Sequence, residues 1–151
     1  MTAPLPVAGR VEKSHADEPV DTVTLDYAAR LVRRKRLTGE AGTEFLVNLD
    51  HVTSLDAGDT LVLDDGRAIA VAAADEPLVA VHGPQLSRLA WHIGNRHTPC
   101  QILDDRLVIQ RDAVIERMLS GLGATLEPFT GPFEPEGGAY GVGRTMGHSH
   151  G

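Results

Sequence analysis

Seven histidines and a single cysteine are the residues of this 151-residue chain best suited to gather a metal ion. Two of the histidines close the chain in Met146-Gly147-His148-Ser149-His150-Gly151, a run with almost nothing apolar to bury. Neutral imidazole is the commonest protein ligand for zinc, nickel and copper, so a His-x-His end is a candidate metal-gathering segment. By itself the pattern is weak, because terminal histidines are often inert or the remnant of a purification tag. A denser group lies upstream in Trp91-His92-Ile93-Gly94-Asn95-Arg96-His97-Thr98-Pro99-Cys100-Gln101. It is followed by Gly121-Leu122-Gly123 and by Phe133-Glu134-Pro135-Glu136-Gly137-Gly138-Ala139-Tyr140.

The elements around these residues decide how they are aimed. Leu78-Val79-Ala80-Val81 is an apolar strand ended by Gly83-Pro84, and proline is well placed to open a helix. Leu86, Leu89, Ala90 and Ile93 then fall at helical spacing and predict a helix over residues 84–95. In an unbroken helix, the five-residue step from His92 to His97 turns the side chains about 140° apart, so this pair makes no single-chain clamp. Gly94-Asn95 reads as the helix end and places His97 at that end or in the loop after it. Gln101 to Leu103 and Arg106 to Ile109 form a hairpin around Asp104-Asp105. Asp112 caps a second helix with Val114, Ile115, Met118, Leu119 and Leu122 on its buried face, closed by Gly121 and Gly123. Ala124 to Phe129 is the last strand. The order β-α-β-β-α-β is the split βαβ, or ferredoxin-like, arrangement, which hosts many functions and assigns none.

Ahead of it the chain reads as mostly β. Residues 1–19 hold prolines and scattered charges without periodicity and are expected to be a loose leader. Val20 to Leu25 and Glu44 to Leu49 are strand candidates, and Thr60 to Leu63 and Arg67 to Val71 make a hairpin whose Asp65-Gly66 supplies positive φ. Near Asp75-Glu76-Pro77 a proline is expected to interrupt pairing and start a new pattern. The reading is thus α+β: a leader over 1–19, a β-rich partner- or peptide-binding domain over 20–75, a ferredoxin-like domain over 76–136 and a flexible Gly/His tail over 137–151.

Composition narrows the function. A net charge of -7 opposes broad binding of a phosphate backbone, so no nucleic-acid partner is expected. The one basic run, Arg33-Arg34-Lys35-Arg36, fits a solvated strand or loop that discourages edge pairing, or a contact for an acidic protein. No apolar run is long enough to cross a membrane and no secretory leader opens the chain, which points to the cytoplasm without a membrane partner. One cysteine excludes an internal disulfide.

The H-x-G-N-R-H-x-P run, the F-E-P-E-G-G-A-Y run and the terminal histidines, in this order and spacing, resemble the UreE family of urease accessory proteins. The match is specific over residues 77–151, while the first seventy-odd residues agree only in their strand-and-turn pattern. What the resemblance implies is a non-enzymatic nickel metallochaperone that works as a homodimer. His97 would be the metal-binding histidine at the dimer surface, one imidazole coming from each chain. His148 and His150, after the Gly-rich stretch 137–143, would complete the coordination of Ni(II), and Zn(II) or Cu(II) could use the same site. Urease apo-enzyme and its accessory proteins, including the GTPase, are the implied partners, since this chain has no phosphate-binding G-x-x-x-x-G-K-[ST] loop. Many relatives carry a longer histidine-rich tail, and some have histidines where this chain has Arg111 and Ala113, so about one ion per dimer is expected rather than storage.

His92 reads as structural, and Cys100, beside Pro99 and ahead of an apolar strand, as a small buried hydrophobe. His15, His51 and His82 stand alone. Two other functions compete. A general zinc, copper or nickel buffer would use the same imidazoles, and a metal-dependent hydrolase would need three rigid ligands and a base that the sequence does not display.

Overall fold

Phe45, Val47 and Leu49 are buried while Glu44 and Asn48 face solvent, the period-two pattern of a strand with one face on a core. In the computed structural model, which describes residues 4–137, this strand belongs to the first of two compact units that divide between Ala74 and Asp75. The first unit comprises β1 (Val7–Glu12), β2 (Asp21–Leu25), β3 (Leu31–Thr38), β4 (Glu44–Ser54), β5 (Thr60–Leu63) and β6 (Ala68–Ala73). They form one six-stranded sheet in the order β2-β6-β5-β1-β4-β3. Its core gathers Val23, Phe45, Val47, Leu55, Leu61, Leu63, Ile69 and Val71.

The expected loose leader is in part a strand. β1 lies inside the sheet, parallel to β4 on one side and antiparallel to β5 on the other. Val7-Ala8-Gly9-Arg10-Val11-Glu12 is too short and too polar to reveal this locally, because its strand state comes from backbone partners about 40 to 60 residues away. Between β5 and β6 the expectation holds. Gly66 has φ 88°, its amide bonds the Leu63 carbonyl at 2.9 Å, and the strands pair antiparallel. Arg33 to Arg36 fall on β3, one of the two edge strands of this sheet, and all four are exposed.

In the second unit the described elements are β7 (Asp75–His82), α1 (Leu86–Asn95), β8 (Gln101–Ile102), β9 (Leu107–Gln110), α2 (Ala113–Gly121) and β10 (Thr125–Pro132). The sheet order β10-β7-β9-β8, antiparallel throughout, is the ferredoxin-like topology. Val79 and Val81, with Leu107 and Ile109, pack against Leu89 and Ile93 of α1 and Ile115 and Leu119 of α2.

Two local expectations change here. Pro77 does not break pairing: it lies within β7 opposite Thr130, and β9 joins β7 only from Leu78 onward, so the missing amide falls where one flank of β7 has no partner. Val114 and Leu122 are 60% and 40% exposed rather than buried. Ile115 and Leu119 form the inward stripe of α2, which leaves Val114 a hundred degrees off that stripe at about one residue's rotation. Leu122 is the C-cap, already past the last helical turn.

Candidate metal centre

The candidate ligand His97 owes its direction to the way α1 ends. Asn95 is the last helical residue and Arg96 the C-cap, and His97 then turns into the left-handed region with φ 55°. Its amide bonds the Gly94 carbonyl at 2.9 Å, and the Thr98 amide bonds the Ile93 carbonyl at 3.3 Å. This crossed pair is the Schellman closure, whose left-handed position usually falls to glycine because a β-carbon is crowded there by about 1–2 kcal/mol. Of the non-glycine described residues, His97 alone has positive φ. Helical geometry thus ends before His97, and the half-buried imidazole leaves on a path independent of His92.

His92 stays within α1, half-buried, with its ring edge-on to that of Trp91 at 5.0 Å between centroids. Cys100 is half-buried and packs against the core of this unit. Burial first, and the Glu136 carboxylate second, push its thiol up to about 11, so at neutral pH it stays protonated. A protonated thiol is a poor metal ligand, which fits a packing role. His51 is exposed on β4, His82 ends β7 opposite Thr125, and the His15 ring lies beside Gly58, each apart from His97 in sequence.

Among the described residues no three of His, Cys, Asp and Glu stand close enough together to hold an ion. His148 and His150, with the rest of the expected tail from 138 onward, lie outside the described residues. Arg111, where some relatives were expected to carry histidine, instead makes two 3.1 Å bonds from its guanidinium to the Glu116 carboxylate. Asp112 accepts the amides of Val114 and Ile115 at 2.9 and 3.0 Å, a cap that sets the start of α2.

A feature that sequence reasoning missed is how the chain leaves β10. Phe133 is fully buried, the Glu134 amide bonds the side-chain carbonyl of Gln101 at 3.1 Å, and the Glu136 amide bonds the Cys100 carbonyl at 2.9 Å. The segment from Phe133 is thereby fastened alongside Cys100 and the start of β8, three and four residues beyond His97. The F-E-P-E run was visible in the sequence, but nothing local names Gln101 and Cys100 as its partners.

Together these features define a two-unit α+β protein, a six-stranded β unit followed by a ferredoxin-like one that ends its first helix on an imidazole. A family model described as the C-terminal domain of the UreE urease accessory protein matches residues 76–151, and one described as its N-terminal domain matches residues 6–74. The urease accessory protein UreE of Ruegeria pomeroyi is 60% identical over 136 residues, covering 90% of this chain and 91% of the relative. That of Cereibacter sphaeroides is 65% identical over 129 residues, 85% of this chain and 70% of the relative. For Paracoccus denitrificans the figures are 55% over 142 residues, 93% and 90%. The chain belongs to the UreE family of urease accessory proteins. The likeness therefore extends through the first unit, where strand and turn pattern alone had suggested it.

Proposed function

We propose that this protein is a non-catalytic nickel carrier for urease, which holds Ni(II) between two copies of the chain and passes it toward the apo-enzyme through other accessory proteins, the GTPase among them. The observation that carries the reading is His97, an imidazole kept in a strained backbone position at a helix end in a member of the UreE family. One imidazole is far short of the roughly four to six ligands nickel takes. A homodimer supplies a second His97, and His148 and His150 complete the sphere. Such a site, assembled from separate pieces, binds and releases as a carrier must, because ordering those pieces offsets part of the binding energy. Zn(II) and Cu(II) suit the same imidazoles, so selectivity in the cell rests on supply and transfer rather than on raw affinity.

The first unit serves as the partner-binding module. Arg33, Arg34 and Lys35 on the outer strand have no ion-pair partner among the described residues, whereas Arg36 reaches Glu44 at 2.9 Å. In a chain of net charge -7 that row suits an acidic protein surface. No helix of the described residues is long and apolar enough to cross a membrane, and a cytoplasmic site of action fits the role.

Sedimentation of the nickel-loaded protein at micromolar concentration, with calorimetric titration, should find two chains and one tight nickel per dimer, lost in His97→Ala and kept in His92→Ala. A monomer that binds one nickel per chain tightly would overturn the site. Urease activation in cells lacking the protein, with and without added nickel, tests delivery: failure of added nickel to rescue a loss of activity would argue against a nickel carrier.

A further inference from the structure

We propose that the open edge of β3 binds an extended acidic peptide of a partner protein as an added β-strand. The inference rests on the reading of the first unit as the partner-binding module, and names what that module takes and how. β2 and β3 are the two edges of the six-stranded sheet. The β2 edge is closed by the turn that follows β3. The Glu40 amide bonds the Thr22 carbonyl at 2.8 Å, and the Asp21 carboxylate accepts the amides of Ala41 and Thr43 at 2.9 and 3.0 Å. Among the described residues, no backbone bond outside the pairing of β3 with β4 reaches residues 32–38. A strand edge left in this state is a template for another chain.

The pairing with β4 fixes which groups face outward. Arg36 lies opposite Leu46, whose amide turns to the far side of β4 and bonds the Pro6 carbonyl at 2.9 Å. Just past the end of β3, the Gly39 amide bonds the Thr43 carbonyl at 2.8 Å. Bonded and unbonded residues alternate along an antiparallel pair, so Lys35 and Leu37 bond β4 while Arg34, Arg36 and Thr38 turn N–H and C=O to the open side. The register from Arg34 to Thr38 runs unbroken against Asn48 to Glu44, a stretch of ordinary strand length.

Charge decides the occupant. Arg33, Arg34, Lys35 and Arg36 are all exposed, and among the described residues only Arg36 of these four has an ion pair, to Glu44. A second copy paired edge to edge would set this row against itself, and like charges directly opposite destabilise a ladder. A nucleic acid would meet the cations but has no alternating N–H and C=O groups to continue the sheet, and the net charge of -7 opposes it. A peptide with carboxylates at alternate positions satisfies both demands. Its residues opposite Arg34 and Arg36 exchange backbone bonds with them and lay their carboxylates on the same face as the two guanidinium groups.

The test is fluorescence anisotropy of a labelled decapeptide of alternating glutamate and threonine, titrated with the full chain at low ionic strength. The peptide should bind, and the double variant Arg34→Gln with Lys35→Gln should bind it about three- to tenfold more weakly through loss of cross-strand charge pairs. Nickel affinity should be the same in both proteins. The same peptide N-methylated on its glutamates keeps its charge but loses the amides that face β3, and should bind at least about tenfold more weakly. Methylation on the threonines, whose amides face away, should change affinity by no more than about threefold. If all three peptides bind alike and depend on Arg34 and Lys35, the added strand is overturned while an acidic docking surface stands. Equal losses on the two methylated peptides would also overturn it, as would a decadeoxythymidylate that binds as tightly as the peptide. If no peptide binds, the reading of this row as a contact for an acidic partner fails with the strand, and the nickel site is judged separately by its own titration.

Discussion

The two helices of the second unit end in the same way on different residues. At the end of α2, the Gly123 amide bonds the Ser120 carbonyl and the Ala124 amide the Leu119 carbonyl, both at 3.0 Å, with Gly123 at φ 90°. At the end of α1 the corresponding bonds run from His97 to Gly94 and from Thr98 to Ile93, with His97 at φ 55°. The beginnings differ too: α2 starts on the Asp112 cap, whereas Gln85 ahead of α1 makes no side-chain cap bond. One helix is closed by residues chosen for closure. The other carries an imidazole in the glycine position, and backbone strain retained at one such point is the usual mark of a side chain held there for use.

Replacing His97 by glycine separates the two demands and should have the largest effect. On the proposed dimeric site, His97→Gly should weaken nickel binding at least about a hundredfold, a loss near 2.7 kcal/mol, because both copies of the proposed ligand disappear. The same change should leave the fold as stable or stabilise it by up to about 1 kcal/mol, raising the melting temperature by a few degrees, since glycine accepts the left-handed position without crowding. Calorimetric titration and thermal unfolding on one preparation decide it. A clear fall in melting temperature would mean that the imidazole closes the helix through its own contacts.

Gly123→Ala is the mirror experiment. A β-carbon built there meets nothing within 4 Å, so any effect is backbone conformation and not a clash. The expected loss is about 1–2 kcal/mol, read by chemical denaturation, with nickel affinity unchanged. No loss of stability would remove the argument that φ at this position is strained for anything but glycine.

The smallest effect is the acid response of the two helix starts. Glu116 accepts from the Arg111 guanidinium, the largest cause of its lowered pKa, and from the Asp112 amide at 2.8 Å. A carboxyl lowered by folding contributes stability that is fully present above its ordinary value and is lost as pH falls through the lowered one. Below about pH 4 the first turn of α2 should therefore loosen more than that of α1, which has no acidic residue in its first turn. Hydrogen exchange of the Val114 and Ile115 amides at pH 5 and pH 3, after correction for intrinsic rates, measures this. Equal changes at both helix starts would count against the Glu116 contribution.

Much of the second unit was legible in the residues themselves. The helical stripe of Leu86, Leu89, Ala90 and Ile93, the Asp112 cap and Gly123 each act within a few positions of one another, so their meaning survives without a partner. His97 was legible as a candidate ligand through its motif, but its left-handed conformation was not, because the residue type favours other conformations and the crossed amide bonds that close the helix there are a feature of the folded backbone. The two terminal histidines fall outside the described residues.

What the sequence determined by itself was therefore local or carried by motif: the order β-α-β-β-α-β, the Gly66 hairpin, the helix ends and membership in a family whose signature lies around His97 and Phe133 to Tyr140. Tertiary structure alone decided the rest. Val7 to Glu12 became an inner strand because β4 and β5 supply its hydrogen-bond partners, and Pro77 was tolerated because β7 pairs with β9 only from Leu78 onward. Gln101 found Glu134, 33 residues away, because the edge beside β8 was open to it. In each case the deciding bond joins residues far apart in the chain, and no window of sequence contains both ends of it.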